Sequence, residues 1–490
     1  MSLINIKNLS FNYDGCAENI FENVNLALDT SWRLGLIGRN GRGKTTLLKL
    51  LAGEYEYCGQ ITADTDFEYY PYDIPNENET VFNVIHRICK AQEWEAAREL
   101  SMLDMPENIL ERTFSTLSNG EKTKVTLAAL FLHENAFLLI DEPTNHLDEN
   151  ARKVVARYLK RKNGFILVSH DRTLLDNCTD HILSINRKSI GLEQGNFTSW
   201  EQNRAAMEIF ETTQNEKLTR EIDRLRESAK KSAKASDGIE KTKKGSKNSG
   251  LRPDRGYIGH KSAKMMQRAK NAQKRCENAI EKKSQLLHDV DRSESLKLSP
   301  LFLNGSVAEL RDVCVIYGGR TINKPLSLKI ESGQRIALRG KNGCGKTSIL
   351  KLLVGQNIER TGNIFMKSSI SISYAAQDTS FLNGSLSKFS AELKIDDSKF
   401  KTILRKLGFE RHMFETDMKS FSQGQKKKVL IASSLCQSAH LYVWDEPLNF
   451  IDIMSRLQIE ELLTEYAPTM LFVEHDSAFV GKIATDIIEM

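Results

Sequence analysis

Two stretches, Gly38-Arg-Asn-Gly-Arg-Gly-Lys44-Thr45 and Gly340-Lys-Asn-Gly-Cys-Gly-Lys346-Thr347, fit the pattern G-x-x-x-x-G-K-[ST] and start 302 residues apart. Such a loop works only between a strand and a helix. Its glycines let backbone N–H groups turn inward around phosphate oxygens, its lysine neutralises the outer phosphates, and its threonine hydroxyl reaches Mg²⁺. That context is present twice. Short apolar runs, Leu34 to Ile37 and Ile336 to Leu338, precede the loops, and Thr46-Leu-Leu-Lys-Leu-Leu-Ala and Ser348-Ile-Leu-Lys-Leu-Leu-Val follow them.

The loops head a longer internal repeat. Ser2 to Tyr13 corresponds to Ser306 to Tyr317, Leu117-Ser-Asn-Gly-Glu121 to Phe421-Ser-Gln-Gly-Gln425, and Val168-Ser-His170-Asp171 to Val473-Glu-His475-Asp476. Phe137-Leu-Leu-Ile-Asp-Glu-Pro-Thr-Asn-His-Leu-Asp148 corresponds to Leu441-Tyr-Val-Trp-Asp-Glu-Pro-Leu-Asn-Phe-Ile-Asp452. The offset stays between 302 and 305 throughout, so one α/β domain is present twice, head to tail. Unbroken apolar runs such as Phe137 to Ile140 and Phe165 to Val168 predict buried parallel strands. Asp141 and Asp445 end such strands, where a carboxylate can hold a Mg²⁺ shell.

No apolar run approaches the ~20 residues that a membrane span needs. The first residues run straight into a strand without a signal-peptide pattern. Eight cysteines are scattered singly, without metal or redox spacing, which suits a reducing cytoplasm. The predicted division is a first domain over 1–198, a linker over 199–297 and a second domain over 298–490.

The linker has no counterpart in the repeat. Leu218, Ile222, Leu225 and Ala229 lie on one heptad track, as do Met265, Ala269, Ala272, Cys276, Ala279, Leu286 and Val290, interrupted by Lys283. This predicts an antiparallel helical hairpin. Roughly 35 residues per arm would project ~50 Å. Residues 230–275 hold 15 Lys/Arg against 3 Asp/Glu, a net of +12, whereas the whole chain is only +5. A projecting arm of that charge predicts a polyanion partner. Its tip candidates are Lys241, Lys243, Lys244, Arg252, Arg255, Tyr257, Ile258 and His260. Tyr257 is the bulky aromatic of the stretch, a group that can stack on an unpaired base.

The ordered motifs resemble those of ATP-binding-cassette (ABC) ATPases over both copies. The resemblance implies two cassettes sandwiching two ATP molecules, each loop being closed by the other copy's signature. Gly38, Asn40, Gly41, Gly43, Lys44, Thr45 and Thr46 would then face Ser422 and Gly424. Gly340, Asn342, Gly343, Gly345, Lys346, Thr347 and Ser348 would face Ser118 and Gly120. It also implies that Glu142 and Glu446 polarise the attacking water, that His170 and His475 contact the γ-phosphate, and that Tyr13 and Tyr317 stack on adenine. Mg²⁺ would be held by Thr45 and Asp141 in one site and by Thr347, Gln377 and Asp445 in the other. The copies depart from the pattern unequally. Tyr72 stands where the first copy should carry the glutamine, Phe450 replaces His146, and Gln425 replaces Glu121. Tyrosine cannot ligate Mg²⁺ as a carboxamide oxygen does, so unequal sites are expected.

Two cassettes without a membrane domain, joined by a basic helical linker, resemble the ABC-F family of ribosome-associated ATPases. There the linker enters the tRNA exit site and reaches toward the peptidyl-transferase centre. Only 73 residues separate Thr45 from Ser118, against 75 in the second copy, so no arm is inserted in the first domain. The motif wording is similar to the Lsa-like branch, which protects ribosomes against lincosamides, streptogramin A and pleuromutilins. This implies a monomeric cytoplasmic ATPase using ATP and Mg²⁺, whose partners are the bacterial ribosome, its large-subunit rRNA and the P-site tRNA. Two other readings stand beside it: a non-resistance translation factor acting on stalled ribosomes, and the ATPase half of an exporter.

Overall fold

The computed structural model describes residues 2–13, 19–144, 147–186, 190–241, 296–341 and 343–490, together with Gln267 and Lys274. The chain divides into one unit built from Met1–Trp200 and Ser293–Met490, and a second unit, Glu201–Arg292.

Each copy of the repeat builds two sheets. In the first copy, β1 (Leu3–Phe11) pairs antiparallel with β2 (Phe21–Asp29) and β4 (Cys58–Thr62). The main sheet has the order β5 (Asp66–Tyr70), β6 (Ala136–Asp141), β7 (Phe165–Val168), β3 (Arg33–Gly38), β8 (His181–Ile185) and β9 (Ile190–Gln194). All its pairings are parallel except that of β8 with β9. In the second copy, β10 (Ser306–Tyr317) pairs with β11 (Arg320–Thr321), β12 (Leu326–Glu331) and β14 (Arg360–Met366). Its parallel sheet runs β15 (Ile372–Ala375), β16 (Leu441–Asp445), β17 (Met470–Val473), β13 (Arg335–Arg339) and β18 (Asp486–Glu489).

Residues of β3, β6 and β7 alternate between two apolar clusters. Leu34, Leu36, Leu139 and Ile166 join one, while Ile37, Leu138, Ile140 and Leu167 join the other. Burial on both faces explains why these strands read as unbroken apolar runs. It also fixes where they stop: the first polar residues after the apolar runs of β6 and β16 are Asp141 and Asp445.

The second unit contains most of the linker helix Phe197–Lys241, which is 45 residues long. Leu218 is half-buried and Ile222 buried on the heptad face, joined one turn earlier by buried Asn215. The return arm and the tip candidates from Lys243 to His260 lie outside the described residues. Among the described residues, no helix is long and apolar enough to cross a membrane.

Candidate active sites

The phosphate loops take the shape their glycines permit. Gly41 and Gly43 have φ of +81° and +89°, and Gly343 and Gly345 have +82° and +96°. A Cβ on Gly43 would also lie 2.6 Å from Ile20 Cγ2. Gly43 and Gly345 cap the helices Lys44–Leu51 and Lys346–Leu353, whose free N–H groups form an anion cradle. Lys44 Nζ donates to Gly38 O at 2.9 Å, Arg39 O at 3.2 Å and Asn40 Oδ1 at 3.3 Å. Burial pushes its pKa down. Lys346 Nζ donates likewise to Gly340 O at 2.8 Å and Lys341 O at 3.0 Å.

The strand-end aspartates meet the loop threonines. Thr45 Oγ1 donates to Asp141 Oδ2 at 2.6 Å, and Thr347 Oγ1 to Asp445 Oδ1 at 3.2 Å. Asp445 Oδ2 is buried without a hydrogen-bond partner, and burial raises this carboxyl to about 6. An orphaned carboxylate oxygen beside a threonine hydroxyl is a hard-oxygen donor set, and it fits Mg²⁺. Two tyrosines that sequence reasoning missed stand here. Tyr69 OH donates to Asp141 Oδ2 at 3.3 Å. Tyr374, its counterpart, is raised to about 12 by burial and by the Asp445 charge.

Tyr72 does not fill the place that its register assigned. Its hydroxyl is 3.5 Å from Glu68 Oε2, and its ring packs near His133 and Tyr70. Tyr72 lies two residues past the end of β5 (Asp66–Tyr70), and there it packs with His133 and Glu68 rather than at Asp141. Gln377, by contrast, donates through Nε2 to Glu446 Oε2 at 2.8 Å, leaving its carboxamide oxygen for a cation. Gln425 keeps the capping box that Glu121 forms: Ser118 and Ser422 each cap a helix with that residue as the reciprocal partner.

Glu142 and Glu446 both adopt left-handed backbone, with φ of +50° and +47°. For a non-glycine residue this costs of order 1–3 kcal/mol, and it is concentrated at functional sites. The backbone N–H of each is tied to the neighbouring strand, Glu142 N to Val168 O at 2.9 Å and Glu446 N to Val473 O at 3.0 Å. Their surroundings differ. Glu142 Oε1 is 3.3 Å from His170 Nε2, and burial followed by the Asp141 charge raises its carboxyl to about 8. Burial pushes Glu446 up as well. Its bonds to His475 Nε2 at 3.1 Å and to Gln377, with the Lys427 charge, outweigh that and leave it lowered. Asn449 Nδ2 adds a bond at 2.8 Å. Lys427 Nζ also donates to Glu446 O at 3.0 Å, and Thr123 occupies its place in the first copy. His170 is held neutral by burial and by the nearby Lys44 and Arg456 charges.

Each loop faces the other copy. In the first site Asn40 Nδ2 donates to Phe450 O at 2.9 Å, and a Cβ on Gly424 would lie 2.9 Å from Asn40 Nδ2. Phe450 has φ of +64°, which turns its carbonyl toward the loop. In the second site a cavity of about 550 Å³ separates Gly343, Lys346, Thr347 and Glu446 from Asn119, Leu147 and Asp148. Asn119 lines it, whereas its neighbours Ser118 and Gly120 do not. Tyr13 OH lies 2.9 Å from Thr46 Oγ1 and Tyr317 OH 3.2 Å from Ser348 Oγ, and the two residues are 38% and 51% exposed beside the loops. Asn342 lies outside the described residues.

A family model described as ABC transporter matches residues 21–145 and 323–449. The ribosome protection protein VmlR of Bacillus subtilis (strain 168) is 28% identical over 98% of this chain and 85% of its own length. The ATP-binding protein Uup of Buchnera aphidicola is 27% identical over 99% of this chain and 80% of its own. Among solved structures, the complex of archaeal ribosomal stalk protein aP1 and ribosome recycling factor aABCE1 matches with a TM-score of 0.61 at 20% identity. That match covers 98% of this chain and 87% of that one.

Proposed function

The chain belongs to the ABC transporter family and is an ATPase with two cassettes in one polypeptide; from that premise we propose that it is an ABC-F ribosome protection factor. It binds at the tRNA exit site, contacts large-subunit rRNA and the P-site tRNA, and promotes release of antibiotics from the peptidyl-transferase centre. It works as a cytoplasmic monomer whose cassettes pair in cis. The observation that carries this reading is the linker helix Phe197–Lys241, which leaves the first cassette as 45 residues of helix and enters the +12 stretch at 230–275. Such charge suits nucleic-acid phosphates. The likeness to VmlR supports protection in particular.

At each site the loop N–H groups and lysine bind the phosphates. Glu142 or Glu446, within reach of His170 or His475, takes a proton from the attacking water. Mg²⁺, held by Thr45 with Asp141 and by Thr347 with Asp445 and Gln377, would neutralise charge on the β- and γ-phosphate oxygens. Asp445→Asn is expected to raise the Mg²⁺ concentration for half-maximal ATP hydrolysis about 10–100-fold, the scale of a disturbed metal site. An unmoved Mg²⁺ titration would remove Asp445 from the set.

The linker test is deletion of residues 250–260, alongside Tyr257→Ala. Both variants should sediment with ribosomes in ATP and hydrolyse ATP, yet leave expressing cells drug-susceptible. Base stacking by an aromatic is worth roughly 1–3 kcal/mol. Charge reversal at Lys241, Lys243 and Lys244 should instead weaken sedimentation in a salt-dependent way. Unchanged drug protection by the deletion would make the tip a passive connector. A second reading, a translation factor for stalled ribosomes, draws on the near-equal similarity to Uup. It predicts no change in drug susceptibility when the full-length protein is expressed.

A further inference from the structure

The two seams between the cassettes occupy equivalent places in the repeat but are built differently. At the first, the second copy's helix Ile453–Tyr466 lies against the first copy's helix Arg172–Cys178. Arg172 and Glu460, 7% and 0% exposed, form a buried bidentate pair there. Asp476 Oδ2 lies 3.6 Å from Arg172 Nη2 and accepts from Arg456 Nη1 at 3.1 Å. Arg456 Nη1 also donates to His170 O at 2.9 Å, while its Nε and Nη2 hold Ile451 O and Leu448 O at 2.9 Å. One guanidinium thus joins the Leu448–Asp452 loop of one cassette to the histidine of the other's site. Ile453, Met454 and Leu457 pack into the first cassette's apolar core.

At the second seam the equivalents of Arg172 and Glu460 are Ser477 and Ala156, offset by 305 and 304. The equivalents of Met454 and Leu457 are Asn150 and Lys153. Arg152 matches Arg456 and holds its own loop through Leu147 O at 3.0 Å. Where the first seam has its ion pair, the second has a cavity of about 280 Å³ lined by Arg152, Ala156, Asp171, His475 and Ser477. The loops show the same bias. Arg39 Nη1 donates to Lys406 O at 3.3 Å and Arg42 pairs with Glu410 at 3.4 Å, whereas the equivalents of these four residues in the repeat are Lys341, Met102, Cys344 and Pro106.

Building on the reading of two ATP sites, we propose that Arg456 and the Arg172–Glu460 pair are positioning residues that clasp the first site shut between turnovers. The second seam lacks the clasp and is the one that opens to exchange nucleotide. Arg456 acts on chemistry through the His170 backbone, and the pair acts by keeping Arg456 in reach. A buried pair inside an apolar contact separates slowly, because both charges must be solvated before the surfaces part.

The test uses the full-length protein carrying Glu142→Gln and Glu446→Gln, loaded with methylanthraniloyl-ATP and chased with excess ATP. Release should show a fast and a slow phase of similar amplitude. Adding Glu460→Ala should accelerate the slow phase about ten-fold or more and leave the fast phase alone. The graft Ala156→Glu with Ser477→Arg, for which the cavity leaves room, should slow the fast phase. That gain cannot come from general damage, and it stands even if Glu460→Ala fails to fold. A single release phase in the parent, a slow phase indifferent to Glu460→Ala, or a fast phase indifferent to the graft would overturn the clasp. Failure to bind the analogue at all would instead sink the ATP-site reading on which it rests.

Discussion

Replacing both Glu142 and Glu446 by glutamine is expected to lower steady-state ATP hydrolysis ~10²–10⁴-fold, the usual effect of losing a positioned general base. The carboxylates sit on left-handed backbone one residue past the Thr-bonded aspartates, and each lies within 3.3 Å of a histidine. Glutamine keeps the shape and the hydrogen bonds but cannot take the proton, so bound ATP is not hydrolysed and leaves only by exchange. The single variants should differ. Glu446 is ionised and held by three side chains, so Glu446→Gln should remove the larger share of turnover. A double variant within a factor of two of the parent would sink the assignment. Equal losses from the two singles would argue that both sites fire alike.

The repeat carried much of this into the sequence. Glycine and lysine spacing placed both loops, and the apolar runs ending in Asp141 and Asp445 placed both strand ends, because those residue types are dictated by backbone shape and by burial on two faces. Side-chain direction past a strand end was not legible. Tyr72 and Gln377 share a register, yet Tyr72 packs with His133 while Gln377 turns toward Glu446. Tyr69 and Tyr374 were missed for the same reason: a strand tyrosine carries no mark of which aspartate it will meet. The seams were partly legible. Ile453, Met454 and Leu457 against Glu149, Asn150 and Lys153 is a polarity change inside the repeat, visible to a comparison that extends beyond the motifs. The residues just after Lys241 lie outside the described ones, and only their charge is legible.

Lys428→Met is expected to destabilise the folded chain by about 3–5 kcal/mol, the cost of leaving one partner of a buried ion pair alone. Lys428 and Asp452 are 3% and 0% exposed. Lys428 Nζ donates to Asp452 Oδ2 at 2.6 Å and to Leu407 O at 2.7 Å. Without the lysine, Asp452 keeps only Ser455 N at 2.9 Å and Ser455 Oγ at 3.0 Å. Burial pushes the Asp452 carboxyl up, but Lys428 and then Lys44 hold it well below the ordinary value of 3.8. The sign follows: a depressed carboxyl contributes stability above pH 3.8 and loses it as pH falls through the folded-state value. In Lys428→Met burial acts unopposed by that lysine, the carboxyl rises, and stability should instead fall as pH climbs from about 4 toward neutrality. Adding Asp452→Asn keeps the cap on Ile453–Tyr466, removes the stranded charge, and should recover most of the loss. Thermal unfolding of the three proteins between about pH 4 and 8 decides it. A loss in Lys428→Met that is flat with pH and unrelieved by Asp452→Asn would mean that the lysine acts through packing alone. The loop this pair anchors carries Phe450, whose carbonyl meets Asn40 in the first site, so the same variant should also loosen that closure.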